Sequence, residues 1–191
     1  MLGVRGALRR DEENRAASLD RYLQASWRFA SRWSLDAGLR RSSTRIASDD
    51  RYVTGLNGDD SGSTRFDTTL PSAGLMYRLS GRVHLYAAAA RGFETPTINE
   101  LSYRPDGAPG LNLALRPARS TSLEIGVKAR PGSGPGRLEA ALFHTRTRDE
   151  IVTQANVGGR ASFHNAGSAL RRGFELSWTD RLSAELGVRL T

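Results

Sequence analysis

Leu19-Asp20-Arg21-Tyr22-Leu23-Gln24-Ala25-Ser26-Trp27-Arg28-Phe29-Ala30, then Ser31-Arg32, then Trp33-Ser34-Leu35-Asp36-Ala37-Gly38-Leu39-Arg40, is the stretch whose reading decides the fold. In the first run one face reads Leu19, Arg21, Leu23, Ala25, Trp27, Phe29, and the other Asp20, Tyr22, Gln24, Ser26, Arg28, Ala30. In the second, Trp33, Leu35, Ala37 and Leu39 oppose Ser34, Asp36, Gly38 and Arg40. A repeat of two belongs to a β-strand, whose successive side chains point to opposite faces. Two such runs joined by a short polar turn read as a hairpin.

The same alternation recurs along the chain. Leu123, Ile125, Val127 and Ala129 oppose Ser122, Glu124, Gly126 and Lys128. Phe174, Leu176 and Trp178 oppose Gly173, Glu175, Ser177 and Thr179. Leu182, Ala184, Leu186, Val188 and Leu190 oppose Arg181, Ser183, Glu185, Gly187 and Arg189. Weaker runs lie at about 2–10, 67–79, 82–91 and 137–152, so nine strands are predicted, with no helix between them. Short connections fall at Ser31-Arg32, Ser80-Gly81, Pro131–Gly136 and Asp180-Arg181. Long ones fall at about 11–17, 43–66, 92–118 and 153–162, and the two kinds alternate. Up-and-down antiparallel strands with short turns at one rim and long loops at the other are the layout of a transmembrane β-barrel. One face of each strand carries Glu, Asp, Arg, Ser and Gly, as a wet lumen requires, while the apolar face suits lipid. Trp27, Trp33 and Trp178 fall near strand ends beside short turns, where an aromatic girdle sits. The expected fold is all-β, an incomplete transmembrane barrel of about nine strands over residues 1–191.

Composition narrows the function. The 191 residues contain no cysteine, which excludes disulfides and thiolate metal sites. Net charge is +8, and with Lys128 the sole lysine, 27 of the 28 basic residues are arginine. They are spread along the chain, whereas a nucleic-acid binder concentrates them in a patch or arm, so no nucleic-acid partner is expected. No apolar stretch approaches the ~18 residues of a membrane helix. Met1-Leu2-Gly3-Val4-Arg5 enters strand-like sequence directly, with no signal-peptide pattern.

Arg91-Gly92-Phe93-Glu94-Thr95-Pro96-Thr97-Ile98-Asn99-Glu100-Leu101 resembles TonB-dependent outer-membrane receptors, in which a strand ends in Gly-Phe and runs through a Pro-containing segment and Glu-Leu into an extracellular loop. Further pieces follow in the family's order: Leu111-Asn112-Leu113, Arg116-Pro117, the strand Ser120–Lys128 with Glu124 and Gly126, Ala141-Leu142-Phe143, Thr147–Ile151, Asn165-Ala166-Gly167, and Arg171–Leu176 with Gly173 and Glu175. The matching positions are thus Gly92, Phe93, Pro96, Glu100, Glu124, Gly126, Asn165, Gly173 and Glu175. Pro117-Ala118-Arg119-Ser120 departs from the family's Pro-Glu before that serine, and Leu123 stands where an aromatic residue is common.

The resemblance implies a bacterial outer-membrane location, lipid contact and, in a full-length parent, uptake of an iron–siderophore complex or similar nutrient with energy from the TonB coupling protein. It implies no enzyme activity and no cofactor. A signal peptide, a plug domain and a barrel of about 22 strands complete the family's pattern. This chain offers none of the first two, and its last strand runs to Leu190-Thr191 without a terminal aromatic strand. The expectation is therefore an arc of a receptor barrel that does not transport alone. Two alternatives are a small self-contained barrel with a structural or binding role, and a soluble basic β-protein that binds nucleic acid.

No catalytic constellation stands out. His84, His144 and His164 lack ligand spacing. Pro131-Gly132-Ser133-Gly134-Pro135-Gly136 is a turn, since no helix follows to make a phosphate loop. Asp49, Asp50, Asp59 and Asp60 read as a solvated loop rather than a cation site. Glu124, Glu175, Glu185, Lys128 and Arg189 share the lumen face, where they can pair across the wall. The candidates for contact with an anionic chelate are Tyr103, Arg104, Arg116 and Arg119 on the loop around 92–118, because an aromatic ring and guanidinium forks suit such a ligand.

Overall fold

Period-two runs satisfy their backbone groups by pairing, and here they do so with their neighbours in sequence. A computed structural model describes residues 6, 8, 10–55, 57–132, 134–181 and 185–191. Its strands are β1 (Glu12–Ala30), β2 (Trp33–Asp50), β3 (Gly62–Arg78), β4 (Val83–Glu94), β5 (Ala118–Ala129), β6 (Arg137–Arg148), β7 (Ile151–Val157), β8 (Arg160–Asn165), β9 (Ser168–Arg181) and β10 (Gly187–Leu190). One helical turn, α1 (Ile98–Leu101), lies between β4 and β5. Eight strands form one antiparallel sheet in the order β1-β2-β3-β4-β5-β6-β9-β10, and β7 and β8 pair separately. Among the described residues β1 pairs only with β2 and β10 only with β9, so the sheet is an open arc.

Register turns the sequence pattern into two continuous surfaces. Trp27, Leu35, Leu75, Ala87, Ile125, Leu142 and Phe174 are successive cross-strand partners and form a row across seven strands. A second row runs Trp33, Tyr77, Leu85, Val127, Ala140, Leu176. These side chains have nothing packed over them: Trp27 is 63% exposed, Ile125 58% and Phe174 61%. A continuous, uncovered apolar face of this extent has the character of a lipid-facing surface. On the opposite face Asp36, Glu124, Glu139, Glu175 and Lys128 alternate with small residues, as on a wetted lumen wall. At the short-turn rim, the rings of Trp27, Phe29, Trp33 and Tyr77 form a chain with centroids 5.4, 6.3 and 4.6 Å apart.

Several boundaries differ from the sequence reading. The loop expected at 11–17 is strand, because Glu12–Ala17 pairs with Asp50–Arg45 in unbroken register. The loop expected at 43–66 shrinks to 51–61 for the same reason, and 92–118 shrinks to 95–117 around α1. Strands of 19, 18 and 17 residues in β1–β3 exceed the ~10 needed to cross a bilayer, and their outer halves lack a strict apolar alternation, so they read as loop. The loop expected at 153–162 is the β7–β8 hairpin, turned by Gly158 and Gly159 at φ 60° and 82°. The strand expected over 137–152 ends at Arg148, where Asp149 takes φ 56°. Asp180 and Arg181 belong to β9 rather than to a turn, and the last strand starts at Gly187, not at 181. The strand expected at 2–10 falls largely outside the described residues. Loop sorting persists: 51–61, 95–117 and the β7–β8 excursion share one rim, and 31–32, 79–82 and 130–136 the other.

Candidate functional site

Above the wall the long loops fold inward over the polar face. Ile46 and Phe66, on the polar side of β2 and β3, meet Leu101, Leu111 and Leu115 from the loop 95–117, with Phe93, Ile98, Ile151 and Phe163 packed around them. Leu101 and Pro96 are fully buried. The turn that delivers Leu101 is held by a capping box: the Glu100 N–H donates to the Thr97 hydroxyl at 3.3 Å, and the Thr97 N–H to the Glu100 carboxylate at 2.7 Å. Ser102 donates to the Ile98 carbonyl at 2.7 Å, and Asn112 to the Phe163 carbonyl at 2.9 Å, which ties this loop to the β7–β8 hairpin.

Several residues matching the family motifs carry a structural duty. Asn165 accepts from the Arg116 N–H at 2.8 Å and donates to the carbonyls of Arg116 at 2.7 Å and Asp149 at 2.8 Å. That single side chain latches two loops to β8. Alanine there leaves an N–H and two carbonyls unpartnered, at about 1–3 kcal/mol for each group buried. N165A is expected to speed amide hydrogen exchange at Arg116 at least about tenfold, with exchange in the β4–β5 ladder unchanged. Gly126 and Gly173 give room to rings: a Cβ on Gly126 falls 2.6 Å from Tyr86, and one on Gly173 falls 2.8 Å from Phe143. Glu124 accepts the Tyr86 hydroxyl at 2.5 Å, and the Lys128 ammonium lies 5.3 Å from the same ring, in place of an ion pair across the wall. Gly92 lies against the Ser120 hydroxyl, and Glu175 stands exposed on the polar face opposite Ala141.

Between loop 51–61, loop 95–117 and the β7–β8 hairpin is an open cleft of about 520 Å³. Tyr103 lies at its base, half-buried, with the guanidinium of Arg160 5.4 Å and that of Arg10 6.0 Å from its ring centroid. Arg10 is paired with Glu12. Arg160 makes no ion pair among the described residues, so its charge is available to a ligand. The acids in and beside the cleft are spent on the loops themselves: Asp50 accepts from the N–H groups of Tyr52 at 2.9 Å and Asp60 at 3.2 Å, and Asp60 from Gly110 at 2.7 Å. Asp59 accepts from the Ser61 N–H at 2.8 Å, and that serine holds its carboxyl below the ordinary range. No cluster of three metal-ligating side chains occurs among the described residues.

Of the four residues expected at the ligand site, Tyr103 and Arg104 come together in this cleft, and Arg116 and Arg119 lie elsewhere. Tyr103 lines the cleft. Arg104 is at its rim, in a two-bond fork to Asp106 at 3.0 and 2.6 Å. Arg116 points to Asp149 at 2.6 Å, beside the Asn165 latch. Arg119 lies on β5 opposite Arg148, on the apolar side of the sheet. Arg160 was missed, although its signal was present: Gly158-Gly159 between alternating runs marks a hairpin, which places Arg160 at its tip.

The hydrogen bonds from Arg104 and from the Ala108 N–H hold the Asp106 carboxyl down to about 2. Its folded pKa is depressed, so its share of loop order is complete above the ordinary value of 3.8 and is lost as pH falls through about 2. Carbon-13 titration of Asp106 in R104A is expected to return the midpoint toward 3.8; a midpoint still near 2 would assign the shift to the backbone bond instead.

Comparison with known proteins agrees with the wall geometry. The family described as TonB dependent receptor-like, beta-barrel matches residues 3–191. The metal-pseudopaline receptor of Pseudomonas aeruginosa is 25% identical over 188 residues, covering 93% of this chain and 23% of that receptor. The pesticin receptor of Yersinia enterocolitica is 26% identical over 170 residues, covering 84% and 23%. The chain thus spans about a quarter of the length of these relatives. Among solved structures, the ferric-catecholate import receptor of Escherichia coli K12 superposes with a TM-score of 0.70 at 18% identity, over 91% of this chain and 26% of that one. The ferric yersiniabactin uptake receptor of Yersinia pestis does so with a TM-score of 0.68 at 22% identity, over 91% and 25%. With two-faced strands in register, sorted loops and a family match along nearly its whole length, the chain belongs to the β-barrel family of TonB-dependent receptors.

Proposed function

We propose that the chain forms an arc of the wall, with its outward loops, of an outer-membrane receptor that takes up an anionic metal chelate of the ferric-siderophore class. The observation that carries the reading is the two-faced sheet: uncovered apolar rows outside, a polar wall inside, and loops folded over the inner side. Relatives that the chain resembles are named as receptors for metal-pseudopaline and pesticin, and similar folds as importers of ferric catecholates and ferric yersiniabactin. In this reading Tyr103 and Arg160 offer a ring and a guanidinium to the chelate, with Arg104 at the rim. Arg116 shapes the loop from behind. Lipid surrounds the arc, the TonB protein drives the whole receptor, and neither a cofactor nor a nucleic acid takes part. Transport needs the remaining wall.

Two measurements test this. Titration calorimetry of the detergent-folded chain with a ferric tris-catecholate is expected to show binding that weakens at least about tenfold in the Tyr103→Ala, Arg160→Ala double variant, as loss of a stacked, charge-assisted contact implies. An unchanged affinity, or no binding at all, counts against the cleft. Expressed alone in a receptor-deficient strain, residues 1–191 are expected to give no uptake of radioactive iron chelate; restored uptake would contradict the need for a larger barrel.

A further inference from the structure

The outward face changes character along one line. On β2 the outward residues Trp33, Leu35, Ala37 and Leu39 give way to Arg41 and Arg45. On β4, Val83, Leu85, Ala87 and Ala89 give way to Arg91; on β5, Ala129, Val127, Ile125 and Leu123 give way to Thr121 and Arg119. On β6, Leu138, Ala140, Leu142 and His144 give way to Arg146 and Arg148. In register, Arg91, Thr121 and Arg146 form one row and Arg119 and Arg148 the next. From its first apolar residue to the arginine or threonine that ends it, each stretch advances eight residue steps, about 26 Å of length and about 20 Å of height at a barrel strand's tilt of roughly 40°, against the ~25 Å apolar band of such barrels. The arginines therefore lie where the hydrocarbon ends, on the long-loop side.

Their placement is costly without a counter-charge. Arg21 faces Arg41, Arg45 faces Arg65 and Arg119 faces Arg148 as direct cross-strand partners on this one face. Like charges directly opposite destabilise a sheet. Arg65 has Asp67 at 3.2 Å, and Arg41 donates to the Thr69 hydroxyl at 3.0 Å. Among the described residues Arg91, Arg119, Arg146 and Arg148 make no ion pair, and all are exposed. A groove has opened beside them. β3 and β4 pair only from Ser72 and Ala90 down to the short turn, and above that point they part. The space, about 780 Å³, is lined by Arg41, Arg91, Arg119, Arg146 and Arg148. The acids bordering it are taken: Asp67 by Arg65, and Asp149 by Arg116 at 2.6 Å.

We infer that this outward arginine band and its groove bind phosphomonoester headgroups of the surrounding lipid leaflet. Guanidinium forks match phosphate oxygens two at a time, and a doubly charged phosphomonoester neutralises a facing arginine pair where a phosphodiester supplies one charge. Arginines beside an anionic membrane surface each strengthen attachment, and they act additively over a few residues. The inference rests on the apolar face meeting lipid, as in the proposed function, but adds the chemistry of the lipid's headgroup.

The test is flotation of the full 191-residue chain with three kinds of vesicle: phosphatidylcholine alone, phosphatidylcholine with bis-phosphorylated lipid A, and phosphatidylcholine with phosphatidylglycerol at equal total charge. Tryptophan emission is followed in each, since Trp27 lies on the apolar face. Partition into the lipid A vesicles is expected to exceed that into either other kind by about tenfold or more. The Arg91→Gln, Arg119→Gln, Arg146→Gln, Arg148→Gln variant is expected to lose that preference while keeping the blue-shifted emission of wild type in phosphatidylcholine. Arg104→Gln, in the loops, keeps both. Equal partition into lipid A and phosphatidylglycerol vesicles overturns the inference without variants, as does a quadruple variant that retains the preference. Absence of a blue shift in every vesicle overturns the lipid-facing reading, and the band with it; a blue shift without lipid A preference overturns the band alone.

Discussion

Arginine at Ile125 is expected to prevent insertion of the sheet into vesicles, while arginine at its neighbour Glu124 is tolerated. Ile125 lies at the middle of the longest apolar row, between Ala87 and Leu142, and is 58% exposed with no protein over it. A guanidinium at the bilayer midplane on the lipid face of a barrel costs about 2–4 kcal/mol, a factor of about 30 to 800 in the inserted fraction. Glu124 is one residue away but on the opposite face, where it accepts a hydrogen bond from Tyr86 in a polar wall. The check is the fraction of I125R and E124R protein recovered with vesicles after flotation. Equal recovery of the two variants would mean that the faces do not differ in surroundings.

A second large effect is expected from valine at Gly173. A Cβ there falls 2.8 and 2.9 Å from Cζ and Cε1 of Phe143, the residue directly opposite on β6. The ring lies against the glycine and leaves no room for a side chain. Overpacking of this kind costs about 1–3 kcal/mol. The three atoms nearest the added Cβ all belong to the Phe143 side chain, so Phe143→Ala in the same chain is expected to restore most of the loss. At Gly126 the relief is partial, because an added Cβ also meets the Ala140 carbonyl at 2.6 Å. Denaturant midpoints of G173V, F143A and the double variant measure the coupling. Additive losses would show that the ring and the glycine do not depend on one another.

What the sequence made legible follows from where burial acts. In the apolar half of each strand one face is polar and the other apolar, so the repeat of two is legible, and Leu23, Trp27, Ile125 and Phe174 stand where alternation put them. In the outer half the outward face is polar, and the inward face is polar except at anchors such as Ile46 and Phe66 under the loops. Glu12–Ala17 and Ser43–Asp50 then carry no alternation and resemble loop, although their ladder is continuous. The strand ends were hidden for that reason, not for want of strand-forming residues. The arginines show the converse. Spread evenly along the chain, they gave no sign of a patch. A meander of regular strand lengths returns Arg91, Arg119, Arg146 and Arg148 to the same height and the same face. Reading period and register together from the turns would have gathered them.

The candidate cleft was half legible. Tyr103, which lines it, shares its loop with basic residues, and that grouping is visible in the sequence. Arg160 comes from a hairpin whose Gly158-Gly159 turn was passed over, and it meets Tyr103 only when the two excursions fold over the polar face. Arg119 was grouped with the loop by proximity in sequence, but lies at an odd position of β5, and parity sends it to the outer face. The motif positions Gly126, Gly173, Glu100 and Asn165 are each engaged within the fold, by a ring, a cap or a latch.

The chain contains no cysteine, so single cysteines can be placed and spin-labelled one at a time. The most direct test of the two-faced wall is a nitroxide scan of β5 from residue 122 to 127 in vesicles, read by collision with oxygen and with a water-soluble nickel chelate. Labels at 123, 125 and 127 are expected to favour oxygen, and labels at 122, 124 and 126 the chelate, in strict alternation. Accessibility without a period of two, or with the two sets reversed, would contradict a wall whose apolar rows face lipid.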